Sequence, residues 1–271
     1  MKLKTSLKLI ALCLPLFTAS VSHAHRGFFL PTSTIINSNN AWVSIDAAAA
    51  TDVFFFDHQP LNADKVMVFT PDGKMQNPEA IFKTKFRTVI DVNLMQTGTY
   101  KISLASDNVN VSYKENGEAK RWRGAPEAME KEVPANAQEV TVTHAQNRME
   151  TFVTNGKPNQ TALALTNKGL ELQALGHPND LFENEKAGFR LLIDGKPAAN
   201  VDVTVIAGGV RYRQNLAEQT FKTDADGQFH VQWQGAGMYW LKATMQDNKS
   251  NIKAAKTRTA SYTATLEVFP Q

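Results

Sequence analysis

The chain has 271 residues, with 29 Lys+Arg against 26 Asp+Glu and a formal net charge of +3. Three of those basic residues, Lys2, Lys4 and Lys8, fall in the first 24 positions, which hold no acidic residue, so residues 25–271 balance at 26 of each sign. That balance, without a basic stripe interleaved with aromatics, excludes a nucleic-acid-binding reading. The single cysteine, Cys13, leaves no disulfide to hold the fold together.

Residues 1–24 have the form of a cleaved signal peptide. Lys2, Lys4 and Lys8 make a basic start, residues 9–17 (LIALCLPLF) form an apolar run too short to span a bilayer, and Ser22-His23-Ala24 places small residues where signal peptidase reads. Cys13 sits inside the apolar run behind the bulky Leu12, a poor site for lipidation. No later apolar run approaches ~18 residues, so no membrane span is expected in the mature chain. Export without an anchor points to the periplasm.

From there the dominant pattern has period two. It runs through 42–46, 65–69, 86–92 and 100–104, with turns at Pro71-Asp72-Gly73 and Thr97-Gly98. Residues 125–131, with proline near the start, predict a short helix, and strand signal resumes at 139–143. A polar, turn-rich stretch at 155–169 marks a boundary. Beyond it come strands at 170–175, 189–193, 201–205, 229–233, 237–243 and 261–268, with turns at Asp194-Gly195 and Asp224-Ala225-Asp226-Gly227. The expected fold class is all-β: an N-terminal β-sandwich domain over 25–160 and a C-terminal immunoglobulin-like or transthyretin-like β-sandwich over 168–271.

Cleavage after Ala24 makes His25 the first residue. Its free amine and ring Nδ1 then form a chelating pair, and imidazole and amine nitrogen suit Cu(II), Ni(II) or Zn(II). One more histidine completes a brace. Position three is Gly27, so the motif that needs histidine there is absent. His58 is the leading partner: it follows Asp57 after the aromatic run Phe54-Phe55-Phe56, which reads as a buried strand, and Asp46 ends the preceding strand. His177, in GHPNDL (176–181), is either part of a turn whose Asn and Asp bond their own backbone or a ligand at the junction of the two domains.

Other polar residues read more plainly. His144 and His230 lie on alternating strands, with side chains expected on the solvent face. Asp224-Ala225-Asp226-Gly227 resembles the start of a calcium loop but lacks the later acidic ligands, so it reads as a hairpin turn. Tyr239 and Trp240 are expected in the core, whereas Arg211 and Arg213 are candidates for contact with an anion. There is no Gly-x-Ser-x-Gly, no His-Glu-x-x-His, no phosphate-binding glycine loop and no cysteine nucleophile after residue 24, so the chain does not read as an enzyme.

Several motifs occur in a characteristic order: AHRGFFLPT (24–32), WVSIDAAAATDVFFFDHQPL (42–61), PDG (71–73), RWRG (121–124), ETFVTNG (150–156), GHPNDL (176–181), TDADGQF (223–229), GMYWL (237–241) and ASYTATLEVFPQ (260–271). Together they resemble the DUF4198 family of periplasmic proteins, grouped with NikM-like nickel-uptake components. The resemblance implies an exported β-sandwich protein linked to uptake of nickel, cobalt or another transition metal. His25, Asp46, His58 and His177 fall in the matching segments and are the candidate metal ligands. Nickel-transport subunits of this kind are often membrane-tethered, and this sequence shows no tether.

The function expected is a periplasmic transition-metal-binding protein for nickel, cobalt or copper. It would deliver its ion by ligand exchange to an inner-membrane or TonB-dependent outer-membrane metal transporter. Because imidazole and amine must be deprotonated to ligate, affinity is expected to fall below pH ~6. The alternative is a metal-free envelope module that recognises a receptor or a glycan. A copper enzyme built on a histidine brace is a third reading, which requires an open coordination position and a substrate surface.

Overall fold

The computed structural model describes residues 25–271, and the expected signal segment lies outside them. The strands of the first half are β1 (Arg26–Pro31), β2 (Ile35–Ile36), β3 (Ala41–Ala50), β4 (Gln59–Pro60), β5 (Val66–Phe69), β6 (Met75–Gln76), β7 (Ala80–Lys83), β8 (Thr88–Leu94), β9 (Gly98–Glu115), β10 (Glu118–Gly124) and β11 (Gln138–Asn155). One helix, α1 (Pro126–Glu132), precedes β11 and carries Pro126 in its first turn, where a missing N–H costs nothing. The second half contributes β12 (Leu170–Ala174), β13 (Lys186–Ile193), β14 (Lys196–Pro197), β15 (Asp202–Ala207), β16 (Gln219–Lys222), β17 (Gln228–Gln232), β18 (Gly237–Asp247) and β19 (Thr257–Val268).

These strands form three sheets. The first runs β1-β3-β8-β7, with β4 added to β3. The second has ten strands, ordered β16-β15-β18-β19-β11-β9-β5-β6, with β10 on β9 and β2 on β11. The third runs β12-β13-β14, with β17 on β13. The first sheet packs its inner residues, among them Phe29, Val43, Ile45 and Ile90, against Val68, Ile102 and Val153 of the second. The third packs Leu172, Phe189, Leu191 and Val231 against Val203, Leu241, Tyr262 and Leu266 at the other end of the second. The architecture is thus all-β and doubly sandwiched, with an immunoglobulin-like sandwich in the C-terminal half.

Each half has its own core, and the two halves share a sheet. Strand β11 pairs with β9 antiparallel and with β19 in parallel, from Thr143↔Thr257 to Thr151↔Thr265. Phe152 of β11 sits in the C-terminal core. Backbone hydrogen bonds therefore cross between the segments 25–160 and 168–271.

β3 shows why the pattern changes along one strand. Val43 and Ile45 are buried while Trp42 is exposed and Ser44 and Asp46 are half-buried, the alternation of a strand with one covered face. From Ala47 to Ala50 every residue is buried. Ala47 faces the N-terminal core, whereas Ala48 and Ala50 face a separate cluster formed by Phe28, Val53, Ile206 and Trp240. With both faces packed, small side chains let neighbouring elements approach closely.

Two local expectations are corrected. Phe54-Phe55-Phe56 is a turn, not a strand: Phe54 has φ 61°, and Phe54 and Phe56 pack edge-on against Phe28, with ring centroids 5.3 and 5.7 Å away. The Asp224–Gly227 turn joins strands of different sheets, β16 and β17, and is not a hairpin. Asp224 Oδ1 accepts the N–H groups of Asp226 and Gln228 at 2.9 and 2.8 Å, the self-bonding of an Asx turn. Gly227 has φ +74°, and a Cβ there would lie 2.4 Å from the Leu191 carbonyl oxygen. Only glycine fits.

Candidate metal centre

The end of β3 gathers the residues of interest. β1 runs antiparallel along one edge, with Arg26 opposite Ala50, so His25 lies just past the end of β3. β4 takes the other edge, with Gln59 opposite Ala49, and brings His58 to the same end. The loop between is tied down by Thr51, whose N–H donates to Asp57 Oδ1 at 3.0 Å. Arg26 in turn donates to the Thr51 carbonyl at 2.7 Å. The result is that the imidazoles of His25 and His58 stack face to face, 3.5 Å between centroids and 5° from parallel. Both residues are exposed.

This donor set suits a borderline transition-metal ion. Two imidazoles in contact offer nitrogens close enough for one ion with metal–nitrogen distances of ~2.0–2.1 Å. Their in-plane lone pairs run parallel, so the stack must open and the rings turn well away from parallel before both nitrogens converge on it. A chain cut after Ala24 adds the α-amine of His25 to the set, and that cleavage site lies outside the described residues.

The other two sequence candidates are engaged elsewhere. Asp46 is paired with Arg87, whose Nε lies 3.2 Å from Oδ1 and whose Nη1 donates to Oδ2 at 3.3 Å. Burial raises the Asp46 carboxyl above its ordinary value, and the Arg87 charge opposes the shift. His177 is held by both ring nitrogens. Nδ1 accepts the Asn179 N–H at 3.1 Å, so Nε2 carries the proton and faces Thr99 Oγ1 at 2.9 Å and the Asn159 carbonyl at 3.3 Å. Burial pushes its pKa down. Of the two readings of GHPNDL, the turn is the one observed, with the Asp180 N–H donating to the His177 carbonyl at 3.0 Å. Among the described residues no three His, Cys, Asp or Glu side chains cluster as metal ligands; the structure joins two of the four candidates.

His144 departs from its expected solvent face. It is 1 % exposed, with Nε2 against Asp107 and Nδ1 3.2 Å from Ser250 Oγ. His230 is exposed on β17, as its strand position predicts. Arg213 is structural, donating to the carbonyls of Gly208, Ala207 and Leu216 at 2.7, 2.7 and 3.1 Å. Tyr239 and Trp240 are buried, and Trp240 Nε1 donates to the Gly27 carbonyl at 2.9 Å, fixing the strand that presents His25.

His25 also borders a groove of about 830 Å³ that sequence reading missed, lined among others by Asp64, Asp107, Arg123 and Lys242. These residues come from the 61–65 loop, β9, β10 and β18, and no local pattern links them. Burial lowers the Lys242 pKa, and the nearby Arg26 charge adds to the shift.

Fold and site together define an all-β protein of two sandwiches on a shared sheet, carrying an exposed imidazole pair at a strand end. The chain belongs to the family described as "Domain of unknown function (DUF4198)", whose model matches residues 22–247. No curated protein matches it. Among solved structures it is similar to the D0-D1 domain of intimin, at 12% identity and a TM-score of 0.24, covering 89% of this chain and 97% of that one. It is also similar to the chicken CNTN1 FN1-FN3 domains, at 7% identity and a TM-score of 0.25, covering 91% and 99%.

Proposed function

We propose that the protein binds a transition-metal ion, nickel, cobalt or copper, through His25 and His58, and passes it on in the periplasm by ligand exchange. The observation that carries this reading is the ring-to-ring contact of two exposed histidines from separate strands. The nitrogens of these exposed imidazoles are the donors such ions prefer. In a chain that begins at His25, the α-amine gives a third nitrogen without a further residue. Two or three protein ligands leave coordination positions open, which favours handover over permanent storage. The recipient would be an inner-membrane or TonB-dependent outer-membrane transporter.

The test is titration of Cu(II), Ni(II) and Co(II) into protein beginning at His25, followed by calorimetry and visible absorption. Saturable binding at one equivalent, weakened about tenfold or more in both His25→Ala and His58→Ala, supports the reading. Absence of saturable binding for all three ions overturns it. Binding undiminished in His58→Ala removes the ring pair as the site.

A further inference from the structure

A second cavity lies between the ten-stranded sheet, β12 and the segment 160–167, with a volume of about 450 Å³. That is within the size range of small-molecule sites, ~300–1,000 Å³. Its walls include Phe152, Leu163, Leu172 and Phe189, and it also admits three buried charged side chains, Lys101, Glu150 and Glu171.

These three differ in how fully they are engaged. Glu150 uses both oxygens: Oε1 accepts from Ser103 Oγ at 3.0 Å and Arg148 Nη1 at 3.4 Å, and Oε2 accepts from the Tyr262 hydroxyl at 2.8 Å. Glu171 is 2 % exposed. Its Oε1 accepts the N–H and the hydroxyl of Thr166 at 2.8 and 2.9 Å and lies 3.7 Å from Arg148 Nη2, while Oε2 has no hydrogen-bond partner among the described residues. Lys101 is 3 % exposed and forms no ion pair among the described residues. Its Nζ donates once, to the Ala164 carbonyl at 2.9 Å, and lies 4.6 Å from the Phe69 ring centroid. Two of its N–H donors are left.

A buried carboxylate oxygen and a buried ammonium, each with unused capacity, are costly unless something pairs with them. They line one cavity whose remaining wall combines Phe152, Leu163, Leu172 and Phe189 with the polar Gln160, Asn167 and Gln173. We propose that this cavity binds a small zwitterion with an apolar side chain, of the amino-acid class. Its ammonium pairs with the Glu171 carboxylate, its carboxylate with Lys101 Nζ, and its side chain packs on Leu163, Leu172 and Phe189. Such charge-assisted bonds in a partly enclosed site are the strong kind. The inference is independent of the metal reading, because His25 borders a different groove.

Calorimetric titration of residues 25–271 with L-leucine and L-phenylalanine tests it. The same protein is titrated with 4-methylpentanoate, which lacks the ammonium, and 3-methylbutylamine, which lacks the carboxylate. One-site binding of at least one amino acid is expected, weakened about tenfold or more with each analogue and in Glu171→Gln and Lys101→Met, and unchanged in His25→Ala. No saturable binding of either amino acid overturns the proposal. So does an analogue that binds as well as leucine, a comparison that uses wild-type protein and stands even if the variants fail to fold.

Discussion

His25 and His58 stack ring on ring across the end of β3, each delivered by a strand on the opposite edge. Because both are exposed, replacing either with alanine is expected to change folding stability by less than about 0.5 kcal/mol. Metal affinity should fall by about tenfold or more, since a two-ring site becomes a one-ring site. Thermal unfolding and Ni(II) or Cu(II) titration of the same samples separate the two effects. A glycine added before His25 tests the amine: affinity should drop while the rings stay in place. If the extended chain binds as tightly as the original, the α-amine is not a ligand.

Arg258 ties the two sheets of the C-terminal sandwich together. It is 4 % exposed and grips Asp247 with two bonds, Nε to Oδ1 at 2.9 Å and Nη2 to Oδ2 at 2.5 Å, and Asp194 with a third at 2.6 Å. Its hydrogen bonds hold the Asp247 carboxyl below its ordinary value. Arg258→Ala strands two carboxylates, both still partly in water, so the expected loss is about 3 kcal/mol, at the lower end for a broken buried pair. Urea unfolding measures it, and a loss below about 1 kcal/mol contradicts the argument.

His177 predicts an acid-side weakness. Burial holds its folded-state pKa below the ordinary 6.5, so as pH falls past that value the unfolded chain takes up a proton that the folded one refuses. Stability therefore declines on acidification from about pH 6.5 down to the depressed folded value, and this residue's contribution is flat below it. In His177→Asn that part of the slope disappears, although the loss of the Thr99 and Asn179 contacts lowers stability at every pH. Denaturant midpoints at about pH 7.5 and pH 5 decide it: the wild-type difference should exceed that of the variant.

Gly227→Ala meets two penalties at once, the positive φ and a Cβ 2.4 Å from the Leu191 carbonyl oxygen. Gly117, at φ +83° with nothing within 4 Å of where a Cβ would sit, meets only the first. Gly117→Ala should cost about 1 kcal/mol and Gly227→Ala at least twice that. Equal losses in thermal unfolding would mean that the β16–β17 turn can relax away from β13.

The local pattern determined much of this protein. Alternating side chains and Asp-Gly or Pro-Asp-Gly turns depend on neighbours in the chain, so the strands of β3, β5, β8 and β18, the proline-led helix and the double-sandwich class were all readable. His25 and His58 could be singled out together from residue type alone, and the structure brings their rings into contact. Tertiary structure alone decided the rest. Asp46 and His177 are donors by type, but Arg87 in one case and Thr99 with Asn179 in the other hold them. Lys101 and Ser103 occupy the polar phase of β9 and are buried all the same, because residues Gly98–Ser103 are covered on both faces. His144 is buried for a related reason, sealed by Asp107 and Ser250 from β9 and the segment after β18. The parallel register of β11 on β19 joins segments more than a hundred residues apart. Periodicity reports which way a side chain points; what stands on that side is settled by strand pairing and by which sheet comes to cover the face.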